Sequence, residues 1–262
     1  MSTSTAAAPQ IRKVARYGWV PDLPDARDHL FSAPGPTLAT LPPAVDLRPG
    51  CPPVYDQGQL GSCTANAIGG ALEFDLLKQG LADLMPSRLF IYYNERAIEG
   101  STGSDSGAQL RDGIKTVNKQ GVCPEDEWPY DLAKFTDAPP ASAYADALAN
   151  RATSYQRVAR NLAQFRGCLA AGYPFVFGFT VYDGFESQQV ASTGEANLPA
   201  AGEKVVGGHA VMAAGYDDST QRFLVRNSWG DGWGQQGYFT MPYAYLTQRG
   251  LSSDFWTIRV VS

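Results

Sequence analysis

The stretch DQGQLGSCTANAIGG, residues 56–70, places a cysteine between small polar residues and a segment that predicts a helix over 64–79. In that segment the apolar residues recur every four positions: Ile68, Leu72 and Leu76. Gly80 follows as a stop signal. Cys63 is therefore expected at a helix N-terminus, where unpaired N–H groups and the helix dipole stabilise a thiolate. Because the thiolate is the nucleophilic form of cysteine, the pattern indicates an activated thiol.

A thiolate that attacks a carbonyl group needs a partner that gives a proton to the leaving atom, and histidine suits that exchange near neutral pH. The chain has two histidines, His29 and His209. His29 falls in a proline-rich segment, whereas His209 lies in VVGGHAVMAAGYD, at the predicted start of a strand. His209 is therefore the expected partner of Cys63. A buried cysteine without such a partner is typically a small core residue.

Three motifs resemble, in this order, the signatures of the papain-like cysteine peptidases: DQGQLGSCTANA, GGHAVMAAGYD and VRNSWGDGWGQQGY. LPPAVDLRPG resembles the start of the mature domain in that family, so the resemblance extends from about residue 41 to the C-terminus. The island YGWVPDLPDARDHLF is similar to a bacterial branch of the family related to xylellain. The resemblance implies an α+β, papain-like fold with a helical N-terminal lobe, an antiparallel β-barrel-like C-terminal lobe and an active-site cleft between them.

The resemblance also implies a role for each residue that matches a motif. Cys63 would be the nucleophile, His209 the acid and base, and Asn227 the residue that orients the imidazole. Gln57 would complete an oxyanion hole together with the backbone N–H of Cys63, because donors already aimed at the developing charge need not reorganise. Trp229 would shield the His209–Asn227 hydrogen bond from water. No metal and no organic cofactor is expected.

The segment SDSGAQLRDG resembles the family's glycine-rich strand that pairs with substrate backbone. This similarity implies that Gly107 and Ala108 bind substrate backbone, and that Leu110 and Ala210 line an apolar specificity pocket. We expect that pocket to take an apolar side chain just upstream of the residue at the scissile bond.

Three positions depart from the family's pattern. Leu60 stands where many relatives have a cysteine in a disulfide, and Thr64 stands where they have an aromatic residue. Gly208 precedes the histidine, where plant members often have an acidic residue. The first change fits a reducing compartment, and the last means that the pH profile of those members does not transfer to this chain.

The chain divides into a proline-rich N-terminal arm, residues 1–40, and a peptidase domain, residues 41–262. Within the domain we expect a helical lobe over about 60–150 and a strand-rich lobe over about 151–262. Two further helices are predicted, at 86–100 and about 107–120. Strands are predicted at five places: 173–182, 209–217, 222–229, 237–243 and 255–261.

The arm carries three aromatic residues, Tyr17, Trp19 and Phe31, that would be unusual in a solvated linker. We therefore expect the arm to lie across the cleft as a short pro-segment and to inhibit the domain. A disordered tail is the alternative.

Composition and charge exclude several classes of function. The chain has 262 residues and a net charge of −5 with scattered basic residues, so no nucleic-acid partner is expected. No apolar run reaches the roughly 20 residues that cross a bilayer, and no standard signal peptide is visible, so a cytoplasmic location is favoured. Four cysteines and two histidines are too widely spaced for a structural zinc site. The sequence spacing does not decide whether Cys51 and Cys123 form a disulfide.

The expected partner is a peptide or protein substrate that is hydrolysed through a thioester. The same acyl-enzyme chemistry also serves acyltransferases and transglutaminases, in which an amine replaces water. A third alternative is a catalytically silent, peptide-binding module. The NSWG run, residues 227–230, favours the peptidase.

Overall fold

The computed structural model describes residues 14–262, and residues 1–13 of the arm lie outside the described part. Eight α-helices occur in the described part: α1 Gly35–Ala39, α2 Cys63–Lys78, α3 Arg88–Glu99, α4 Leu110–Lys119, α5 Ala141–Ala147, α6 Leu162–Ala170, α7 Gln188–Thr193 and α8 Tyr243–Thr247. Ten strands occur there: β1 Trp19–Val20, β2 Leu30–Phe31, β3 Ala44–Asp46, β4 Ala108–Gln109, β5 Ala152–Val158, β6 Phe175–Tyr182, β7 Val205–Asp217, β8 Arg222–Arg226, β9 Tyr238–Pro242 and β10 Ser252–Val261.

The helix predicted after Cys63 is confirmed as α2, which begins at the cysteine itself. Every residue from Cys63 to Leu76 is buried, so α2 runs through the interior rather than along the surface. Its end is the predicted one: Gly80 adopts φ +69°, a left-handed conformation that favours glycine, and its N–H donates to the carbonyl of Leu77. The buried course of α2 makes it the central element of the helical lobe.

The other two predicted helices begin later than the sequence indicated. Pro86 does not start α3; instead Ser87 is the N-cap, and its hydroxyl accepts the N–H of Phe90. The third helix, α4, begins at Leu110 and not at about residue 107. Gly107 has φ +74° and so cannot belong to a right-handed helix, and Ala108 belongs to β4.

All five predicted strands are present, as β6 to β10, and they form one eight-stranded sheet with β2, β3 and β5. Seven of its strands follow the order β2-β5-β10-β6-β7-β8-β9, and β3 pairs with β7 beside this path. β7 is longer than predicted, so His209 lies inside the strand and not at its start. Neighbouring strands are antiparallel except β2 and β5, which run parallel. The combination of helices with a mostly antiparallel sheet confirms the α+β class. In the described residues the strand order ends at β2 and β9 without closing, so the sheet is not a closed barrel.

Two apolar clusters hold the fold together. One lies within the strand-rich lobe and is dominated by phenylalanines: Phe165, Phe175, Phe177, Phe179, Phe223, Phe239 and Phe255. The second joins α2, α3 and α4 to the sheet, and it includes Ala210 and Met212 of β7 and Trp256 of β10. Since apolar burial is the main force in folding, the second cluster fixes the start of α2 against the middle of β7.

The described part of the arm is packed on the domain. Its anchors Val14, Tyr17, Trp19 and Phe31 are buried. β1 pairs in parallel with β4, and β2 pairs in parallel with β5. Residues 14–31 are therefore not a solvated tail.

All four cysteines are free thiols, so Cys51 and Cys123 do not form a disulfide. Among residues 14–262, no group of histidine, cysteine and acidic side chains has the arrangement of a metal site. In the same residues no helix is long and apolar enough to cross a membrane.

Candidate active site

Cys63 is the first residue of α2 and is fully buried. Burial raises the pKa of its thiol to about 12, although the backbone N–H groups of Ala210, Gly18 and Thr64 act in the opposite direction. In this arm-covered arrangement the loss of water therefore outweighs the effect of the helix N-terminus on the thiol. The influence of Ala210 and Gly18 shows that both β7 and the arm approach the sulfur.

His209 is also fully buried, and its Nε2 lies 2.8 Å from Oδ1 of Asn227. Asn227 Oδ1 also accepts the backbone N–H of Ser228 at 2.9 Å, so it serves as an acceptor and Nε2 of the histidine must donate. Burial lowers the pKa of His209 to about 4, and the Asn227 hydrogen bond only partly offsets this. The neutral ring then carries its lone pair on Nδ1, which is buried without a hydrogen-bond partner.

Trp229 covers the imidazole. Its ring is nearly parallel to that of His209, with centroids 5.2 Å apart, and it is almost completely buried. Phe179, opposite His209 on β6, meets the imidazole edge to face at 5.8 Å. His209 is thus buried between two aromatic rings.

Gln57 is buried and held at both ends of its amide. Nε2 donates to the carbonyl of Leu60 at 2.9 Å, and Oε1 accepts the hydroxyl of Ser228 at 2.6 Å. An amide nitrogen has two N–H groups, so one of them remains for another acceptor. The bond to Ser228 also ties Gln57 to the loop that carries Asn227.

Gly107 and Ala108 pair with the arm. The N–H of Ala108 donates to the carbonyl of Gly18 at 2.8 Å, and a Cβ added to Gly107 would lie 2.1 Å from that same oxygen. Leu110 and Ala210 are buried in the same apolar cluster as Trp19. The residues expected to bind substrate therefore surround residues 18 and 19.

The arm passes over Cys63 at Gly18, where two backbones nearly touch. A Cβ on Gly18 would lie 1.7 Å from the carbonyl oxygen of Gly61, so only glycine fits there. On one side of Gly18, Tyr17 sets its ring edge against His209, with centroids 5.7 Å apart. On the other side, Trp19 fills a slot.

Two glycines make room for the Trp19 indole. A Cβ on Gly178 would lie 1.9 Å from the ring, and one on Gly208 would lie 2.6 Å from it. Sequence reasoning identified Trp19 as an anchor but did not identify this slot. The available signal was Gly178, which interrupts the apolar run YPFVFGFTVY.

A second group that sequence reasoning missed links the arm to the domain by charge. Asp28 of the arm bonds to Arg111 at 2.6 Å and to Arg157 at 2.8 Å. Arg157 also bonds to Asp254 at 3.2 Å. These residues are far apart in the sequence, and no local pattern could have brought them together.

Comparison with known proteins identifies the family of this chain. A sequence model of the family described as papain family cysteine protease matches residues 41–256. The chain belongs to the papain family of cysteine proteases. The resemblance drawn from the three motifs is thereby confirmed.

Two relatives match the papain-family chain over nearly its whole length. An uncharacterized peptidase C1-like protein of Acanthamoeba polyphaga mimivirus is 43% identical over 271 residues, which cover 94% of this chain and 87% of the viral protein. The crystal structure of xylellain, a cysteine protease from Xylella fastidiosa, is 44% identical with a TM-score of 0.90, and the match covers 96% of this chain and 98% of xylellain. The predicted likeness to the xylellain branch is confirmed.

A more distant match supports the fold alone. Procathepsin B of Trypanosoma congolense has a TM-score of 0.71 at 17% identity, with 86% of this chain and 80% of that one covered.

Thr64, which stands where relatives carry an aromatic residue, donates a hydrogen bond from its hydroxyl to the buried carboxyl of Glu95 at 2.5 Å. The first turn of α2 is therefore held by a hydrogen bond in place of an aromatic contact.

Displacing the arm should expose and activate the Cys63 thiol. We expect Gly18→Ala in the intact chain to force the arm away from Gly61, because the added methyl group has no space there. Alkylation of Cys63 by iodoacetamide at pH 8 should then rise by about tenfold or more, since the thiol regains water and a lower pKa. Mass spectrometry of the peptide that contains Cys63 measures this rate.

Gly35→Ala is the matched control, because a Cβ there meets nothing within 4 Å. Equal alkylation rates in the two variants would contradict the close contact between arm and thiol.

Proposed function

We propose that this papain-family protease hydrolyses internal peptide bonds through Cys63, His209 and Asn227, with Gln57 as an oxyanion donor. The observation that carries the proposal is the 2.8 Å contact of His209 Nε2 with Asn227. This hydrogen bond favours the tautomer whose Nδ1 can accept the thiol proton. The residue after His209 is Ala210, whose backbone N–H lowers the pKa of the Cys63 thiol. Asn227 acts through His209 and is a positioning residue.

In the proposed cycle His209 takes up a proton and gives it away twice. The thiol of Cys63 gives its proton to Nδ1 of His209 as the sulfur attacks the carbonyl carbon, and the carbonyl electron pair moves to oxygen. The C–N bond then breaks, the proton passes from Nδ1 to the leaving amine, and a thioester remains. Water loses a proton to Nδ1 as it attacks the thioester, the C–S bond breaks to release the acid product, and the proton on Nδ1 returns to the sulfur to restore the thiol.

The developing oxyanion would lie at the start of α2. The backbone N–H of Cys63 has no intrahelical acceptor, because the first N–H groups of a helix never do. The second N–H of the Gln57 amide would be the other donor. Both groups are held by the fold before substrate binds, so stabilising the oxyanion requires no rearrangement.

We further propose that the arm restrains this activity. Gly18 occupies the backbone-binding position at Ala108, and its N–H approaches the thiol. Tyr17 covers the imidazole, and Trp19 fills the neighbouring slot. A peptide cannot reach Cys63 while these three residues are in place.

Activity should require both Cys63 and displacement of the arm. We expect the intact chain to cleave a fluorogenic peptide library slowly in the presence of a reducing agent. Gly18→Ala, or truncation near Leu41, should raise turnover by about tenfold or more. Adding Cys63→Ala should abolish turnover in each background, because the sulfur that attacks the substrate carbonyl is then absent.

Gly35→Ala again controls for a harmless methyl group. A folded Gly18→Ala variant that bound peptides without cleaving them would instead support the peptide-binding module.

Gln57 should matter for the rate and not for substrate binding. In the Gly18→Ala background we expect Gln57→Ala to lower kcat by about 10²- to 10³-fold with a much smaller change in KM, because the donor acts on charge that develops in the transition state. Steady-state kinetics measure both parameters. Gln59→Ala, at an exposed amide two residues away, is the matched control. A loss confined to KM would show that Gln57 binds substrate instead.

The contribution of Asp22 to the restraint should weaken as the pH rises toward 6. Burial beside Asp254 raises the pKa of Asp22, an arm residue, from 3.8 to about 6, although bonds from Arg111 and Trp256 partly offset this. A raised pKa means that Asp22 holds a proton in the docked arm which it releases in the free arm, so its contribution to docking is largest below about pH 4 and is lost above about pH 6. The pKa of Asp254 is raised in the same direction, again chiefly by burial.

The ratio of kcat/KM for the intact chain to that for Asp22→Asn should therefore rise between pH 4 and 6 and then level off. The covered His209, whose pKa is lowered to about 4, strengthens the restraint over the same range, and dividing by Asp22→Asn removes this opposite contribution because both chains contain it. The pKa of Asp28 is lowered by Arg111 and Arg157 against the effect of burial, so its contribution changes only at more acidic pH. A flat or falling ratio over this range would refute the assignment.

A further inference from the structure

Two arginines of the peptidase domain hold a carboxylate of the arm at the edge of the cleft. Arg111 meets Asp28 with two nitrogens, Nε at 3.2 Å from Oδ1 and Nη2 at 2.6 Å from Oδ2. Arg157 donates Nη1 to the same Oδ2 at 2.8 Å. Paired N–H donors of this kind match the geometry of a carboxylate. The side chains of Arg111 and Asp28 are only 6% and 9% exposed, so the ligand is well enclosed.

The domain itself positions both guanidinium groups. The ring of Trp256, on β10, lies 5.7 Å from the guanidinium carbon of Arg111 and 5.6 Å from that of Arg157. Asp254, on the same strand, bonds to Nη2 of Arg157 and leaves Nη1 for Asp28. Since Trp256 and Asp254 belong to the domain, they would still hold the two arginines after the arm has left.

Leaving of the arm changes the charge of this region. In the docked state three carboxylates, those of Asp22, Asp28 and Asp254, surround the two guanidinium groups. The arm carries away two of these carboxylates, so at neutral pH the local charge changes from about −1 to about +1. In the described residues, every hydrogen-bond acceptor of the Arg111 side chain belongs to the arm: Leu23 and Asp28. Without the arm, the Arg111 guanidinium would therefore lack its anion.

The arginine pair is within reach of a peptide bound at Cys63. Trp19 and Asp22 are three residues apart, a span of at most about 10 Å. Asp22 accepts the backbone N–H of Arg111 at 3.0 Å and the indole N–H of Trp256 at 2.9 Å. A substrate that fills the Trp19 slot can therefore extend to Arg111 within a few residues.

We propose that Arg111 and Arg157 form a carboxylate-binding subsite that takes an aspartate or glutamate side chain of the substrate once the arm has left. The proposal rests on the proposed peptidase function and adds a class of substrate to it: peptides with an acidic residue a few positions from the scissile bond. The arm holds the subsite with its own aspartate and so mimics this feature of a substrate.

The test uses the full chain with Gly18→Ala and Asp28→Asn, which frees the thiol and removes the competing carboxylate. Fluorogenic peptides that carry a single aspartate at successive positions are compared with the same peptides carrying asparagine. At one position we expect aspartate to lower KM about tenfold with little change in kcat, and added salt to reduce the difference. Arg157→Gln and, separately, Arg111→Gln should remove the preference.

Arg166→Gln is the matched control, because Arg166 pairs with Asp218 and has no contact with Asp28 in the described residues. Circular dichroism reports whether each variant is folded. Cleavage without any preference for aspartate, or a preference that survives Arg157→Gln, would overturn the subsite.

Peptide binding to the Cys63→Ala form of the same chain, followed by fluorescence anisotropy, separates the two proposals. Tighter binding of the aspartate peptide without turnover in any variant would refute the proposed function and keep the subsite.

Discussion

The packing of the first turn of α2 against the middle of β7 is the constraint on which the site depends. α2 is buried from Cys63 to Leu76, and the apolar cluster around it includes Ala210 and Met212 of β7. Because Ala210 follows His209, the contacts that join α2 to β7 also bring the backbone next to His209 near the thiol. Asn227 and Gln57 are then tied to the same junction through Ser228. Stability and chemistry share one set of contacts here.

Burial under the arm reverses the electrostatics that the sequence suggested. A helix N-terminus favours a thiolate, yet the pKa of Cys63 rises to about 12 and that of His209 falls to about 4. Both shifts favour the neutral thiol and the neutral imidazole, because neither charged form has water to solvate it. The arm thus acts in two ways: it occupies the cleft, and it removes the solvent that an ion pair needs. A substrate that displaces the arm would also exclude water from the site, but it would place a carbonyl group next to the thiol.

Local sequence patterns predicted the elements but not the contacts between lobe and arm. The spacing of Ile68, Leu72 and Leu76 predicted α2, and apolar runs predicted β6 to β10, because such periodicities reflect which face is buried. The resemblance to the family motifs assigned Gln57, Cys63, His209 and Asn227 to one predicted site before the fold was considered. By contrast, Asp28 meets Arg111 and Arg157 across 83 and 129 positions. Such pairs depend on the whole fold, and isolated charges in a sequence carry no signal for them.

Three consecutive arm residues show why that segment fits one path only. The ring of Tyr17 packs edge to face against His209, and the ring of Trp19 occupies the slot that Gly178 and Gly208 leave. Between them Gly18 must pass where its backbone contacts Gly61 and pairs with Ala108, at a separation that excludes any side chain. Shifting the arm by one residue would place the ring of Tyr17 or Trp19 at the Gly18 position, and Gly18 or Val20 in the slot. The tight fit at Gly18 therefore fixes the register of the arm, and the charged contacts of Asp22 and Asp28 follow from that register.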